Sequence, residues 1–344
     1  MTRAPLMLAL VIAALLAASW LLPVARGAQR PARAYALLAN GQVVAISVAT
    51  GEVLATQSIG EPPQFGTAAP LLARHGDVLF AVTPRLLNQE LVQLDPADLA
   101  VRARLALPAD VEFTALVITR SGVPHLLGDR GGAPVLVTLR DGALSAPIAL
   151  RPAAGRDWSI SGAALSSDDR RLAVMYHGRN STGADVVDLA TGTRERCPRA
   201  VRTGCLSVVH GTAAFAGGAL VGTAGTSGLI VYRRNGKQDR VVDTELPRNH
   251  LMAMGRDAST GIIVASVDCM VGRAVSIVNL ERNSARMRRT ACGDAVAVAD
   301  GVAAIAGTDR ALRGHTRPAV YLVDIRSGRR LHAVRTFSPI AVAF

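Results

Sequence analysis

The sequence predicts an all-β fold, a seven-bladed β-propeller with four antiparallel strands in each blade, and three observations point to it. A short apolar strand, a tight turn and a second strand recur seven times along the chain. The copies are spaced by about 46 residues, which is the length of a propeller blade. The chain also ends in the apolar segment "PIAVAF", and no stretch of sequence has the sustained periodicity of a helix.

The seven copies are easiest to see at their turns. Five of them read "ATGE", "RDGA", "ATGT", "RNGK" and "RSGR", with glycine after Thr, Asp, Asn or Ser. These residue types tolerate the positive φ angle of a tight hairpin. The turn markers lie 44 to 50 residues apart and are Gly51, Asp98, Gly142, Gly192, Gly236, Asn283 and Gly328.

A second apolar strand pair precedes each hairpin and completes four strands per unit. "AALSSDDRRLAVMYH" and "LMAMGRDASTGIIVAS" are two examples. In the first, Asp168 and Asp169 are interpreted as turn residues and not as a catalytic pair. A β-sandwich, or two of them, is the alternative fold, since sandwich strands also occur at regular spacing. Seven repeats of one signature at near-constant spacing favour the propeller.

Two units, "AVYLVDIRSGRRLHAVRT" and "VVAISVATGEVLATQSI", resemble the repeats of YVTN-type, surface-layer-like seven-bladed propellers. "ALSSDDRRLAV" is similar to the inner hairpin of WD40-like and TolB-like propellers. The resemblance covers nearly all of the chain after its N-terminal segment, and it implies the fold of an exported protein but no activity. The second and sixth copies depart from it because they lack the turn glycine. Trp158 is the only tryptophan after residue 27, unlike the tryptophan-rich quinoprotein dehydrogenases.

The apolar C-terminus has a predicted partner in the first unit. That unit holds only three strands, at residues 35–38, 42–48 and 53–59, and lacks an innermost strand. We therefore expect Ile340 to Phe344 to enter the first blade as its innermost strand. Closure of this kind leaves no sheet edge exposed between the first and last blades.

The N-terminal segment predicts export. Residues 1–27 combine Arg3, an uncharged stretch over residues 4–25 and small residues before a cleavage point, as in a signal peptide. The stretch is also long enough to be an uncleaved membrane anchor. Residues 28–344 then form a single propeller domain outside the cytoplasm, secreted, periplasmic or on the cell envelope. We expect a monomer.

Cysteine and histidine spacing predicts disulfides and no metal site. Cys197, Cys205, Cys269 and Cys292 are an even set that allows three pairings. Pairing of neighbours, Cys197 with Cys205 and Cys269 with Cys292, is favoured. No cysteines have the C-x-x-C spacing of zinc ligands, and no histidines have metal-binding spacing. We expect no cofactor, although His177, His250 and His315 are the trio that a propeller could bring together.

The predicted binding surface is one face of the propeller. With the strands of a blade named A to D from the axis outward, the A–B and C–D turns share one face, and the B–C and D–A connections share the other. The C–D turns are short glycine hairpins, so function is assigned to the B–C and D–A connections. All four cysteines are expected there. The candidate binding residues are Arg310, Arg313, His315, Arg317, His177, Arg179, Arg156, Arg248 and His250.

Charge indicates an anionic partner. Lys and Arg number 38 against 26 Asp and Glu, for a net charge of +12. Guanidinium groups pair bidentately with carboxylate, sulfate or phosphate, although exposed loop arginines are often simply solvated. Nucleic acid is not expected, because no basic cluster is interleaved with aromatic residues.

The sequence therefore favours a non-enzymatic binding scaffold for a protein or an anionic envelope polymer or glycan. An extracytoplasmic enzyme on the same fold, either a lactonase-like hydrolase or a quinoprotein-type dehydrogenase, is the alternative. A scaffold subunit that only organises other proteins is the third hypothesis. The propeller fold does not choose among them, because propellers carry unrelated functions.

Overall fold

The computed structural model describes residues 30–60, 71–83, 88–150, 158–178, 181–193, 206–207, 213–216, 219–223, 228–232, 238–246, 251–267, 269, 272–307 and 318–344. The chain divides into Met1–Arg30 and Pro31–Phe344. The predicted signal peptide or anchor, residues 1–27, lies outside the described residues. Among the residues that are described, no helix has the length and apolar character needed to cross a membrane.

The described structure consists of short strands. The first three blades contribute β1 Arg33–Leu38, β2 Gln42–Ser47, β3 Val53–Ser58, β4 Leu72–His75, β5 Val78–Val82, β6 Glu90–Leu94, β7 Val101–Ala106, β8 Glu112–Ile118, β9 Pro124–Arg130, β10 Ala133–Arg140, β11 Ala143–Leu144 and β12 Ile148–Ala149. The next two contribute β13 Trp158–Leu165, β14 Arg171–Gly178, β15 Ser181–Asp188, β16 Leu206–Ser207, β17 Ala213–Ala216, β18 Ala219–Thr223, β19 Gly228–Tyr232 and β20 Gln238–Asp243. The remainder are β21 Leu251–Arg256, β22 Ile263–Val267, β23 Val275–Asn279, β24 Ser284–Arg288, β25 Ala295–Ala299, β26 Val302–Gly307, β27 Ala319–Asp324, β28 Arg330–Arg335 and β29 Pro339–Ala343.

These strands form a ring of seven antiparallel sheets within the described part of the chain. Six sheets follow chain order from the axis outward, and the third has an outer strand split into β11 and β12. The innermost strands touch one another in sequence, β4, β8, β13, β17, β21, β25 and β29, and β29 returns to β4. The predicted seven-bladed β-propeller is confirmed.

The first blade is closed by the C-terminus, as predicted. Its strand order is β29-β1-β2-β3, with Tyr35 opposite Ala343 and Leu37 opposite Ala341. The closing strand runs from Pro339 to Ala343, one residue earlier than the predicted Ile340 to Phe344. Proline is tolerated as the first residue of a strand, where its missing N–H interrupts no ladder.

The core lies between neighbouring blades. In β1, Tyr35 and Leu37 pack toward the second blade, whereas Ala36 and Leu38 pack toward the seventh. This follows from the two-residue period of a strand, which sends successive side chains to opposite faces of the sheet. Both faces are buried, so most B and C strands read as continuous apolar runs. Five such clusters together cover all seven blade interfaces.

Buried polar groups also join consecutive blades. The Tyr35 hydroxyl donates to the carbonyl of Pro96 in the second blade over 2.8 Å. The buried side chain of Gln89 donates to the Phe113 carbonyl over 2.9 Å and accepts from the Phe113 N–H over 2.6 Å. Each bond satisfies a backbone group that the sheets leave unpaired, which is needed where water is excluded.

The predicted hairpin turns form, and most contain a residue with positive φ. Asn283 takes this role in the sixth copy, where glycine is absent, with a φ of 48°. The marker Gly236 lies outside the described residues. The turn glycines that are described have φ values between 66° and 77° and are Gly51, Gly142, Gly192 and Gly328.

The second copy departs from the predicted turn by one residue. Its positive φ falls on Leu99, at 64°, and not on the marker Asp98. The Leu99 side chain is fully buried, and its N–H donates to the Asp95 carbonyl over 2.8 Å. The left-handed conformation costs a non-glycine residue about 1–2 kcal/mol, while burying leucine gains about 1.5–3 kcal/mol. Burial offsets the strain.

Turn glycines also make room for the preceding blade. A Cβ atom on Gly51 would lie 2.7 Å from Cγ of His332 in β28, and one on Gly328 would lie 2.5 Å from Cγ of Arg288 in β24. In the first and seventh blades, the C–D turn therefore packs on the outer strand of the blade before it. At these two positions glycine is needed for space as well as for φ.

The fourth blade differs from the sequence prediction at one place. His177 was assigned to a connection on the B–C and D–A face, but β14 continues to Gly178, which pairs with Ser181 of β15. His177 is therefore a strand residue, because cross-strand pairing continues to the end of β14 despite the polar residues there. The described outer strand of this blade is Leu206–Ser207, which pairs with Ala184 and Gly183. Residues 194–205, which follow the Gly192 turn, lie outside the described residues.

Removal of residues 339–344 should open the first blade, because β1 loses its partner and an unpaired inner edge is exposed. We expect loss of the single cooperative unfolding transition and aggregation, measured by urea denaturation and size-exclusion chromatography. Deletion of Phe344 alone is the control, since it leaves every pair between β1 and β29 in place. A truncated chain that unfolds like its parent would contradict the closure.

Candidate functional site

Most of the predicted binding residues lie outside the described residues, so their role stays a prediction. His177 is the exception, although only its backbone is described. It lies in β14, where it pairs with Ser159 and Thr182. Cys197 and Cys205 are likewise outside the described residues, in the chain between β15 and β16. The undescribed binding residues are Arg310, Arg313, His315, Arg317, Arg179, Arg156, Arg248 and His250.

The described part of the B–C and D–A face contains a disulfide. Cys269 follows β22 in the B–C connection of the sixth blade, and Cys292 precedes β25, so the bond joins two connections on that face. The predicted pairing of Cys269 with Cys292 is confirmed. Both cysteines are buried, so the disulfide is a structural crosslink and not an exposed redox group.

This disulfide packs against the end of β26. A Cβ atom on Gly307 would lie 2.2 Å from the Cys292 carbonyl oxygen and 3.0 Å from Sγ of Cys269. Any larger residue at this position would displace backbone. We call Ser266, Cys269, Cys292, Gly293 and Gly307 the disulfide corner.

Hydrogen bonds complete the disulfide corner. The Ser266 hydroxyl donates to the Gly293 carbonyl over 2.6 Å, and the Gly293 N–H donates to the Val267 carbonyl over 3.0 Å. Beside the corner, the Arg273 guanidinium lies 5.9 Å from the ring centroid of Tyr321. The corner therefore fixes the strand ends from which the B–C connections of the sixth and seventh blades depart.

A second feature lies at the other end of the central channel, on the A–B and C–D face. A cavity of about 290 Å³ is lined there by the inner strands of the fourth, fifth and sixth blades and by A–B turn residues of the third, fourth and sixth. Its walls include Ala163, Phe215 and Met254, while Arg120 and Arg256 provide charge. We call this cavity the channel mouth. This cavity was not predicted from the sequence, although an arginine follows or ends an inner strand in both "ITRSG" and "MGRDAS".

The acidic residues beside the channel mouth accept hydrogen bonds from turn residues. Asp169 accepts from the Arg120 N–H over 2.6 Å, so its contact is with backbone. Asp168 accepts from the Ser166 hydroxyl over 2.6 Å, and this bond, with a second from the Arg170 N–H, holds the Asp168 pKa below its usual value. The interpretation of Asp168 and Asp169 as turn residues is confirmed.

Asp257 anchors the sixth blade to the seventh at the same face. Its fully buried carboxylate accepts from Ser259 and from the Gly301 N–H, the latter over 3.1 Å. Burial acts to raise the Asp257 pKa, but the hydrogen bonds together outweigh it and leave the pKa below its ordinary value. Asp257 is thus an ionised structural group.

His125 is the buried titratable histidine of the described structure. Its Nδ1 atom lies 2.9 Å from the Thr138 hydroxyl on the neighbouring strand. Burial lowers the His125 pKa to about 4, with a further contribution from Arg140. The ring is neutral at pH 7 and lies within the third blade, near the start of β9, which follows the A–B turn that contains Arg120.

Metal binding has no support in the described residues, where no group of three or more His, Cys, Asp or Glu side chains is placed to hold an ion. Whether His177, His250 and His315 come together is not tested, because none of their side chains is described.

Comparison with known proteins identifies the fold and nothing finer. No protein-family model matches the chain, and no curated protein matches it, so the expected YVTN-type or WD40-like family is not supported. A structure of apo AztD from Citrobacter koseri is similar with a TM-score of 0.57 and 12% identity, over 90% of this chain and 96% of that one; a second Citrobacter koseri AztD structure gives the same values. The dihydro-heme d1 dehydrogenase NirN, in complex with DHE, has a TM-score of 0.56 and 14% identity, over 90% and 74%.

Loss of the described disulfide should destabilise the protein without unfolding it. The bond closes a loop with a sequence separation of 23, for which loop-closure entropy gives about 3 kcal/mol. We expect this decrease in unfolding free energy for Cys269→Ser/Cys292→Ser in urea denaturation. The Cys269→Ala/Cys292→Ala variant is the matched control, because it removes the disulfide without burying two serine hydroxyls. An unchanged urea midpoint in both double variants would contradict the prediction.

His125 should make stability sensitive to acid. Its folded pKa of about 4 lies below the ordinary 6.5, so the unfolded chain binds the proton first as pH falls. The stabilisation is complete above pH 6.5, decreases between pH 6.5 and 4 by up to about 3 kcal/mol, and changes no further below. His125→Asn should flatten this part of the curve of unfolding free energy against pH. His332→Gln, a partly exposed histidine, should retain it, and equal slopes for His125→Asn and the parent would refute the assignment.

Proposed function

We propose that this propeller is an exported binding scaffold that recognises an anionic group, on a protein or an envelope polymer, through its B–C and D–A connections. The observation that carries the proposal is the disulfide corner. It holds the end of β26 at Gly307, directly before residues 308–317, in which Arg310, Arg313 and Arg317 occur. Fixing the base of a binding loop lowers the conformational entropy lost on association.

Arginine chemistry defines the partner. A guanidinium group is planar and presents paired N–H donors that match carboxylate, sulfate or phosphate. Several such groups around one face would attract an anionic polymer over about a Debye length, roughly 8–10 Å at physiological salt. Recognition of this kind needs no reacting group and no cofactor.

Export fits the same proposal. A buried disulfide persists in oxidising compartments outside the cytoplasm, and residues 1–27 have the composition of a signal peptide or anchor. Both are properties expected of a protein that meets envelope polymers. The names of the similar structures describe those proteins, and at 12–14% identity their activities are not transferred.

The proposal is tested with immobilised polyglutamate and dextran sulfate as anionic probes. Arg310→Gln/Arg313→Gln/Arg317→Gln should weaken binding about tenfold, since each exposed charge pair contributes up to about 1 kcal/mol. Affinity of the parent should also fall steeply as salt rises.

A charge-matched control is available on the opposite face of the same blade. Arg326, Arg329 and Arg330 are exposed near its C–D turn, and their replacement by Gln removes the same three charges. Equal loss in both triple variants would show attraction to net charge alone and would contradict recognition through the B–C and D–A face. Salt-independent binding would contradict the arginine mechanism.

A further inference from the structure

We propose that the channel mouth is a second, separate binding site, which takes a small organic carboxylate with an apolar body. Arg120 and Arg256 would hold the carboxylate, and the inner strands would enclose the body. This site lies on the A–B and C–D face and does not rest on the binding function proposed for the other face.

The dimensions of the channel mouth suit a small molecule. Its volume of about 290 Å³ is at the lower end of the range for ligand pockets, roughly 300–1,000 Å³. Three inner strands, β13, β17 and β21, contribute apolar side chains to it, including Ala163, Leu165, Phe215 and Met254. An apolar wall with a few polar groups at one side is the usual composition of a small-molecule site.

Arg256 is the strongest indication of an anion-binding site. It is the last residue of β21 and lines the cavity. Its Nε atom is buried and has no hydrogen-bond partner among the residues that the structure describes. A buried charged donor without a partner is costly, so such an atom in a folded protein calls for a bound ion, water or ligand. A carboxylate would supply the acceptor.

Arg120 brings a second guanidinium from a different blade. It lies in the A–B turn of the third blade, and its side chain is exposed at the cavity. Within the described residues, no ion pair involves the guanidinium group of either Arg120 or Arg256. The Ser167 hydroxyl lines the same cavity and adds a neutral donor. These donors come from separate blades, and they surround one space.

Charged groups of both signs lie around the channel mouth, but those in its lining are positive. The nearby carboxylates of Asp168, Asp169 and Asp257 accept hydrogen bonds from turn hydroxyls and backbone N–H groups. None of these three carboxylates lines the cavity, whereas Arg120 and Arg256 do. The charged groups in contact with a ligand would therefore be guanidinium groups, which favour an anion.

A carboxylate with an apolar body fits better than a bare anion. Two guanidinium groups bind a planar carboxylate through paired N–H donors, while Phe215 and Met254 offer contact area that inorganic phosphate cannot use. The predicted ligand therefore has one charged end and a body of about the size of a benzene ring or a short alkyl chain.

The test is isothermal titration calorimetry of the full propeller with benzoate, benzyl alcohol and inorganic phosphate. Benzoate should bind with one-to-one stoichiometry, and the neutral benzyl alcohol, of nearly the same shape, should bind at least about tenfold more weakly. Arg256→Gln and Arg120→Gln should each weaken benzoate binding by about ten- to a hundredfold, the range for a charge-assisted hydrogen bond. Arg120 is exposed, so its variant remains informative if Arg256→Gln fails to fold.

Arg282→Gln is the matched control, because Arg282 is an exposed arginine in the C–D turn of the sixth blade, and it should bind benzoate like the parent. The Arg310→Gln/Arg313→Gln/Arg317→Gln variant should also retain benzoate binding, which separates the two sites. The proposal is overturned if benzoate and benzyl alcohol bind equally, if phosphate binds as tightly as benzoate, or if the Arg120→Gln variant binds benzoate with the parent's affinity.

Discussion

Pairing between β29 and β1 is the interaction on which the rest of the molecule depends. Residues more than three hundred positions apart in the chain form one sheet, with Tyr35 opposite Ala343. Because β1 is buried on both faces, this sheet separates the interface with the second blade from the interface with the seventh. Long-range pairing of this kind carries a loop-closure entropy that grows only slowly with chain length, so contacts around the whole ring can offset it.

Packing between blades adds a second constraint at two of the turn glycines. Gly51 packs on His332 of the last blade, and Gly328 packs on Arg288 of the sixth. These two turns must therefore be both sharp in φ and small enough for a neighbour. Gly142 and Gly192 need only the first property, because a Cβ atom on Gly142 would meet nothing within 4 Å and one on Gly192 would meet only the Ile148 side chain at 3.6 Å. At Gly51 and Gly328 the repeat in the sequence thus reflects an interface between blades as well as a hairpin within one.

The sequence predicted the hairpins and the four-strand units from local turn and strand patterns, and it predicted the closing strand and the pairing of Cys269 with Cys292 from the number and order of strands and cysteines. It failed where tertiary contacts decide the outcome. Leu99 takes a left-handed conformation because burial offsets the strain, and His177 extends a strand that its polar neighbours do not suggest. The channel mouth could not be predicted because its lining residues come from four units of the repeat, and no single segment contains the site.

The connections at the two ends of the channel are held in place by different interactions. On the B–C and D–A face, a covalent bond between Cys269 and Cys292 fixes the bases of two connections. On the opposite face, the sixth and seventh blades are joined without a covalent bond, because the buried Asp257 carboxylate accepts a hydrogen bond from the Gly301 N–H of the seventh blade. Arg256 is the residue immediately before Asp257, so the same contact that joins two blades also sets the position of a guanidinium at the channel mouth. Its placement there is therefore a consequence of how the ring is held together.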